Sequence, residues 1–108
     1  MQIAEIRSNN TTIAACDGRL DTGTAAAAEQ KLMSLLSQGA VVADFAGVRY
    51  VSSAGLRVLL KTAKQAKDTG GRFAVCALQP AVREVFEISG FDRVIKVFGS
   101  RAEALSQG

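Results

Sequence analysis

Two adjacent serines, Ser52 and Ser53, stand where an apolar stretch gives way to a segment of helical spacing. A hydroxyl at a helix start can do three things. It can cap N–H groups that have no intrahelical partner. It lies at the surface, within reach of a kinase. It also sits at the positive end of the helix dipole, where an added phosphate is tolerated. Ser53 is the expected cap and the candidate phosphoacceptor, with Ser52 as the alternative. Capping with no further role is what serine most often does in such a place.

The remaining composition narrows the chemistry. The chain contains no histidine, which removes Ser-His and Cys-His nucleophilic pairs and the H-E-x-x-H metal motif. It also has no Gly-x-x-x-x-Gly-Lys loop and no clustered carboxylate pair. No catalytic residue, metal ligand or cofactor is therefore expected, and the chain reads as a binding protein rather than an enzyme. Its two cysteines, Cys16 and Cys76, lie in apolar segments and read as small buried hydrophobes. The net charge is +3, yet the basic residues are scattered, and only Arg57, Lys61, Lys64 and Lys67 form a stripe. That spacing is the solvent face of one helix. With one tyrosine and five phenylalanines and no interleaving of aromatic with basic residues, no nucleic-acid platform is expected.

The 108 residues suit a single domain over 1–108. No apolar run approaches the roughly 18 to 20 residues that span a bilayer. The start, Met1-Gln2-Ile3-Ala4-Glu5, resembles no signal peptide, so a cytoplasmic location without membrane contact is expected.

The elements that must position the serines follow from periodicity. Strands over 3–7 and 12–16 flank a Ser8-Asn9-Asn10-Thr11 turn and form a hairpin. Asp17-Gly18-Arg19-Leu20-Asp21 leaves the second strand, and 21–24 offers cap chemistry for a helix running to about Gln38. Its inner face is Ala25, Ala28, Leu32, Leu35 and Leu36, and Gly39 stops it in a left-handed cap. The run 40–45 is a buried strand, and 46–51 is a loop. A helix over 53–68 buries Leu56, Leu59, Leu60, Ala63 and Ala66, and Gly70-Gly71 ends it. A strand over 72–78, a helix over 81–89 stopped by Gly90, a strand over 94–98 and a capping box at Ser100-x-x-Glu103 complete the chain. The order β-β-α-β-α-β-α-β-α predicts an α/β domain whose central mixed, mostly parallel sheet is covered by about four helices.

The segment Asp44-Phe45-Ala46-Gly47-Val48-Arg49-Tyr50-Val51-Ser52-Ser53-Ala54-Gly55-Leu56, followed by an amphipathic helix, resembles the signature of the STAS domain of anti-sigma factor antagonists. Gly18-Arg19-Leu20-Asp21, Gly70-Gly71-Arg72-Phe73-Ala74-Val75 and the stretch from Pro80 to Phe91 resemble further family segments in the same order. The resemblance implies that Ser53 is phosphorylated by a partner anti-sigma factor with serine kinase activity. It also implies that only the unphosphorylated form binds that partner and frees a sigma factor, with a PP2C-type phosphatase restoring the cycle. Where the family carries aspartate before the acceptor, this chain has Ser52. The partner surface is expected around the switch, at Asp21, Tyr50, Val51, Ser52, Ser53, Ala54, Gly55, Leu56 and Arg57. The alternative is an unmodified STAS scaffold subunit of a transport, lipid-trafficking or signalling complex.

Overall fold

A computed structural model describes residues 1–106; Gln107 and Gly108 of the expected domain lie outside the described residues. The strands are β1 (Gln2–Ser8), β2 (Thr11–Leu20), β3 (Ala40–Val51), β4 (Phe73–Cys76) and β5 (Lys96–Phe98). They form one sheet in the order β1-β2-β3-β4-β5. β1 and β2 pair antiparallel through a turn in which Asn9 takes φ 56°, and the remaining pairs are parallel. The helices are α1 (Ala25–Leu36), α2 (Ser53–Thr69), α3 (Pro80–Ser89) and α4 (Arg101–Ser106), with a single 3-10 turn at Phe91–Arg93. Among the described residues no helix is long and apolar enough to cross a membrane. This is the mixed, mostly parallel α/β architecture that the element order predicts.

Strand alternation sends Val41, Ala43 and Phe45 into one core with Leu32, Leu35, Leu59, Val82 and Phe86, which brings α1, α2 and α3 onto the sheet. Val42 points the other way, into a small cluster with Cys76 and Ala104 beneath α4. Asp44 lies on that second side, buried in the sheet. Its Oδ1 accepts from the Ala46 N–H at 2.9 Å and its Oδ2 pairs with Arg101, which ties α4 to β3.

Several boundaries differ from the sequence expectation. β2 runs on to Leu20 instead of ending at Cys16, with register shifts between Ala15 and Asp17 and between Gly18 and Arg19. β3 is one strand to Val51, not a strand followed by a loop over 46–51. The two corrections share a cause. Gly47 lets β2 pass so close that a Cβ there would stand 2.9 Å from Asp17 Oδ1 and 3.0 Å from the Cys16 oxygen, so the parallel ladder continues past residues that look like breakers. α1 ends at Leu36 with Ser37 as its cap; Gly39, at φ +143°, is not a left-handed cap but eases the entry to β3, where a Cβ would meet the Asn10 oxygen at 2.9 Å. β4 and β5 are shorter than expected, and Ala77, at φ 58°, turns the chain out of β4. Pro80 is the first residue of α3, where its missing N–H goes unmissed.

On α2, Leu56, Leu59 and Ala66 are buried as expected, while Leu60 and Ala63 are only half-buried. Val58 and Thr62, absent from the expected face, are buried instead, because the helix packs against both the sheet and its neighbour α1. The Thr62 hydroxyl is satisfied by donating to the Val58 carbonyl at 2.8 Å.

Gly55 sits where α2 meets the end of β2. A Cβ there would lie 2.6 Å from the Leu20 oxygen, 2.7 Å from Leu20 Cγ and 3.1 Å from Val51 Cγ1. A backbone oxygen cannot swing aside, so Gly55→Ala should lower stability by about 1–3 kcal/mol, the usual size of an overpacked contact. The thermal midpoint should drop by several degrees; a midpoint within a degree of wild type would show that the helix shifts freely.

Both cysteines are free and buried. Burial first, then the charge of Asp44, pushes the Cys16 thiol from 9.0 up to about 12. Burial and Asp44 push Cys76 to about 11, opposed by Arg101. The unfolded chain therefore releases these protons above pH 9.0 while the folded chain holds them. The thiols' contribution to stability is complete below that pH and is lost as pH rises toward about 12. Urea unfolding should show a falling midpoint above that pH, with a shallower fall in Cys16→Ala.

Candidate functional site

The site forms where β2 and β3 end together and α2 begins. Leu20 pairs with Val51 at the end of the ladder, and the Leu20 carbonyl then accepts from the Ser52 N–H at 2.9 Å. This holds Ser52 extended, at φ −86° and ψ 176°, which makes it the helix cap. Its hydroxyl accepts from the Gly55 N–H at 3.2 Å and its carbonyl from the Leu56 N–H at 2.9 Å. The expectation that Ser53 is the cap is thus corrected by one residue: the cap is Ser52, and Ser53 is the first residue of the helix. The reason is the strand. Pairing of Val51 with Leu20 fixes which serine still has extended backbone, and only that one can cap.

Ser53 is exposed, Ser52 and Ala54 are half-buried, and Gly55 and Leu56 are buried as the first packed residues of α2. Arg57 is exposed one turn on, at the head of a stripe that continues through Lys61, Lys64 and Lys67, all exposed. The hydroxyl of Ser52 is committed to the backbone while that of Ser53 faces solvent at the positive end of a helix of 17 residues.

Around the serines the structure brings together most of the expected surface. Tyr50 is 43% exposed, whereas Val51 is buried and supports the strand end from within. Asp21 stands beside them at the end of β2. Its Oδ1 accepts from the Gly23 N–H at 3.0 Å, and its Oδ2 lies 3.5 Å from Arg19 Nε. Partial desolvation pushes its carboxyl up, but the bonds from Gly23 and Thr24 and the nearby Arg19 outweigh this and hold it below the usual carboxylate range. Asp21 is therefore a fixed negative charge at neutral pH.

Arg19 was not among the expected site residues. Its guanidinium lies over the Tyr50 ring, 4.3 Å from the centroid, and links that ring to Asp21. The parallel register that sets Arg19 beside Tyr50 creates the contact. The sequence signal was the position of Arg19 two residues before Asp21, but its aromatic partner is 31 residues away (50 − 19) and unreadable by local spacing. Thr24 was also missed. It accepts from the Asp21 N–H at 2.9 Å and donates to the Arg19 carbonyl at 2.9 Å, locking the turn that presents both charges.

No group of three or more potential metal-ligating side chains occurs among the described residues.

The chain matches the STAS domain family over residues 2–104. A Bordetella bronchiseptica protein named "Putative anti-sigma factor antagonist BtrV" is 39% identical over 106 residues, covering 96% of this chain and 91% of that protein. The crystal structure of an anti-sigma factor antagonist from Mycobacterium paratuberculosis superposes with a TM-score of 0.88 at 25% identity, covering 98% of this chain and 92% of that one. SpoIIAA, solved in unphosphorylated and phosphorylated forms, shares the fold, with TM-scores of 0.80 and 0.73 at 19% and 18% identity. It covers 98% of this chain in both, and 95% and 98% of the respective SpoIIAA chains. The chain therefore belongs to the STAS domain family of anti-sigma factor antagonists.

Proposed function

We propose that this protein is a partner-switching antagonist whose state is written on Ser53. Unphosphorylated, it binds an anti-sigma factor that has serine kinase activity and so frees a sigma factor; phosphorylation of Ser53 ends binding, and a PP2C-type phosphatase restores it. The observation that carries this reading is the division of labour between the two serines. Ser52 is engaged as the cap, with its hydroxyl 3.2 Å from the Gly55 nitrogen, while the neighbouring Ser53 is exposed. The protein acts by binding and needs no catalytic group of its own.

The binding face would comprise Tyr50, Ser52, Ser53, Ala54 and Arg57 with Asp21 at its margin, while Val51, Gly55 and Leu56 hold that face in place from beneath. A phosphate adds about −1.5 to −2 charges at neutral pH. In solvent at a helix N-terminus this is tolerated. In a closed interface it must be desolvated beside the fixed charge of Asp21. Lowering affinity 100-fold takes about 2.7 kcal/mol, within what an unpaired buried charge costs.

Incubation with the cognate kinase and ATP should add one phosphate, mapped to Ser53. Ser53→Ala should abolish labelling and keep partner binding. Ser52→Ala should still be labelled while losing about 1 kcal/mol of stability with its cap. Ser53→Asp should weaken partner binding with an unchanged thermal midpoint. A phosphate on Ser52, or full labelling of Ser53→Ala, would overturn the assignment.

Arg57 lies on the rim of the proposed face and is exposed. Arg57→Glu should slow association and change its salt dependence, with little effect on folding. Unaltered kinetics across a salt series would place the interface elsewhere.

A further inference from the structure

The far end of α2 carries a second recessed surface. Lys67 lies 14 residues beyond Ser53 (67 − 53), about 21 Å along the helix at about 1.5 Å per residue. There, at the start of β3, β4 and β5, two recesses of about 720 and 280 Å³ meet around Gly71 and Arg72. The smaller one is walled by apolar groups from both sides of the sheet, among them Val42, Phe73 and Phe98. Its rim carries Lys67, Arg72 and Lys96, all exposed, and no Asp or Glu lines either recess. Val94, which also lines it, is left 61% exposed, a large apolar side chain that the fold itself does not cover.

We infer that this recess binds a single-chain amphipathic carboxylate, its alkyl chain against the apolar walls at the end of the sheet and its head group at Arg72. Apolar walls with a few convergent polar groups are the usual make-up of a small-molecule site. A bare anion would gain nothing from the apolar walls, and a neutral chain nothing from the cations. The partial negative charge at the C-terminus of α2 opposes an anion, but it is about half a unit against three full positive charges. Arg72 lines both recesses, so a head group there leaves the smaller recess to the chain. This site is independent of the serine switch.

Gly71 gives a way to test it. A Cβ at this position would make only ordinary contacts, 3.6 Å from Thr69 Oγ1 and 3.7 Å from the Ala66 oxygen, and the backbone is not left-handed. A larger side chain can therefore enter the recess without straining the chain.

The intact protein should be titrated with decanoate below its micellar concentration and followed by backbone amide NMR. Saturable one-to-one binding is expected, with the largest shifts at Gly71, Ala74 and Phe98. Acetate and decanol should each bind at least tenfold more weakly. Gly71→Leu, which fills the recess, and Arg72→Gln, which removes the head-group anchor, should each lose at least tenfold in affinity with the amide spectrum otherwise folded. Arg72 is exposed, so its variant carries the test alone should Gly71→Leu not fold. Shifts that do not saturate or lie elsewhere, equal binding of decanol or acetate, or wild-type affinity in Arg72→Gln would each overturn the inference.

Discussion

The carbonyl oxygen of Leu20 has two neighbours that decide where the second helix begins. It accepts the Ser52 N–H at 2.9 Å, and it stands 2.6 Å from the point where any Cβ on residue 55 would be. The first contact extends β3 to its last residue and holds Ser52 in the extended conformation a cap requires. The second demands glycine three residues later, because a backbone oxygen within a ladder has no room to move. Between them they fix the phase of α2. Leu56 and Leu59 turn inward, Ser53 and Arg57 outward, and the burial of each leucine contributes on the order of 1.5–3 kcal/mol. The exposed serine is a consequence of this junction rather than a separate feature of the surface.

What could be read from the sequence depended on how local the governing contact is. The four helices, the hairpin and the parallel order follow from periodicity and from Gly70 and Gly90, both left-handed caps at φ 74° and 77°. Strand length was misread where Asp17-Gly18 and Gly47 interrupted the apolar runs. Gly18 and Gly47 look like breakers in isolation, yet in the sheet they permit a register shift and a close approach. The identity of the cap was ambiguous for a similar reason. Two adjacent serines have the same cap chemistry, and only the hydrogen bond that Ser52 donates to a strand 32 residues earlier (52 − 20) distinguishes them. Thr62 is the same lesson on a helix, since its polarity suggests solvent and its bond to the Val58 carbonyl permits burial.

The candidate site was legible in part. Ser53, Tyr50 and Arg57, expected around the switch from the family resemblance, are exposed, and Asp21 stands at the adjoining strand end. Arg19 was hidden because its role arises from sheet register. Over Tyr50 and near Asp21, it joins three side chains into one patch of aromatic surface with both charges at its edge. Tyrosine and arginine supply large contact area and are the residues that most often dominate interface energy. A patch already ordered before a partner arrives has less side-chain entropy to lose on binding.

That order bears on how a phosphate at Ser53 would be read. The groups beneath the serine are rigid for reasons unrelated to it: the cap belongs to Ser52, the close packing to Gly55, and the turn to Thr24 and Asp21. A phosphate would meet favourable helix-dipole electrostatics of a few tenths to about 1 kcal/mol, and no buried contact of Ser53 would be lost. Melting α2 would instead forfeit the burial of Leu56, Val58 and Leu59, a sum several times larger than any local repulsion from Asp21. On the proposed function the free protein would tolerate charge at this position while a closed interface would not, since only there must the phosphate be stripped of water. Sensitivity confined to the complex is what a switch needs if it is to be written and erased repeatedly on a fold that does not change.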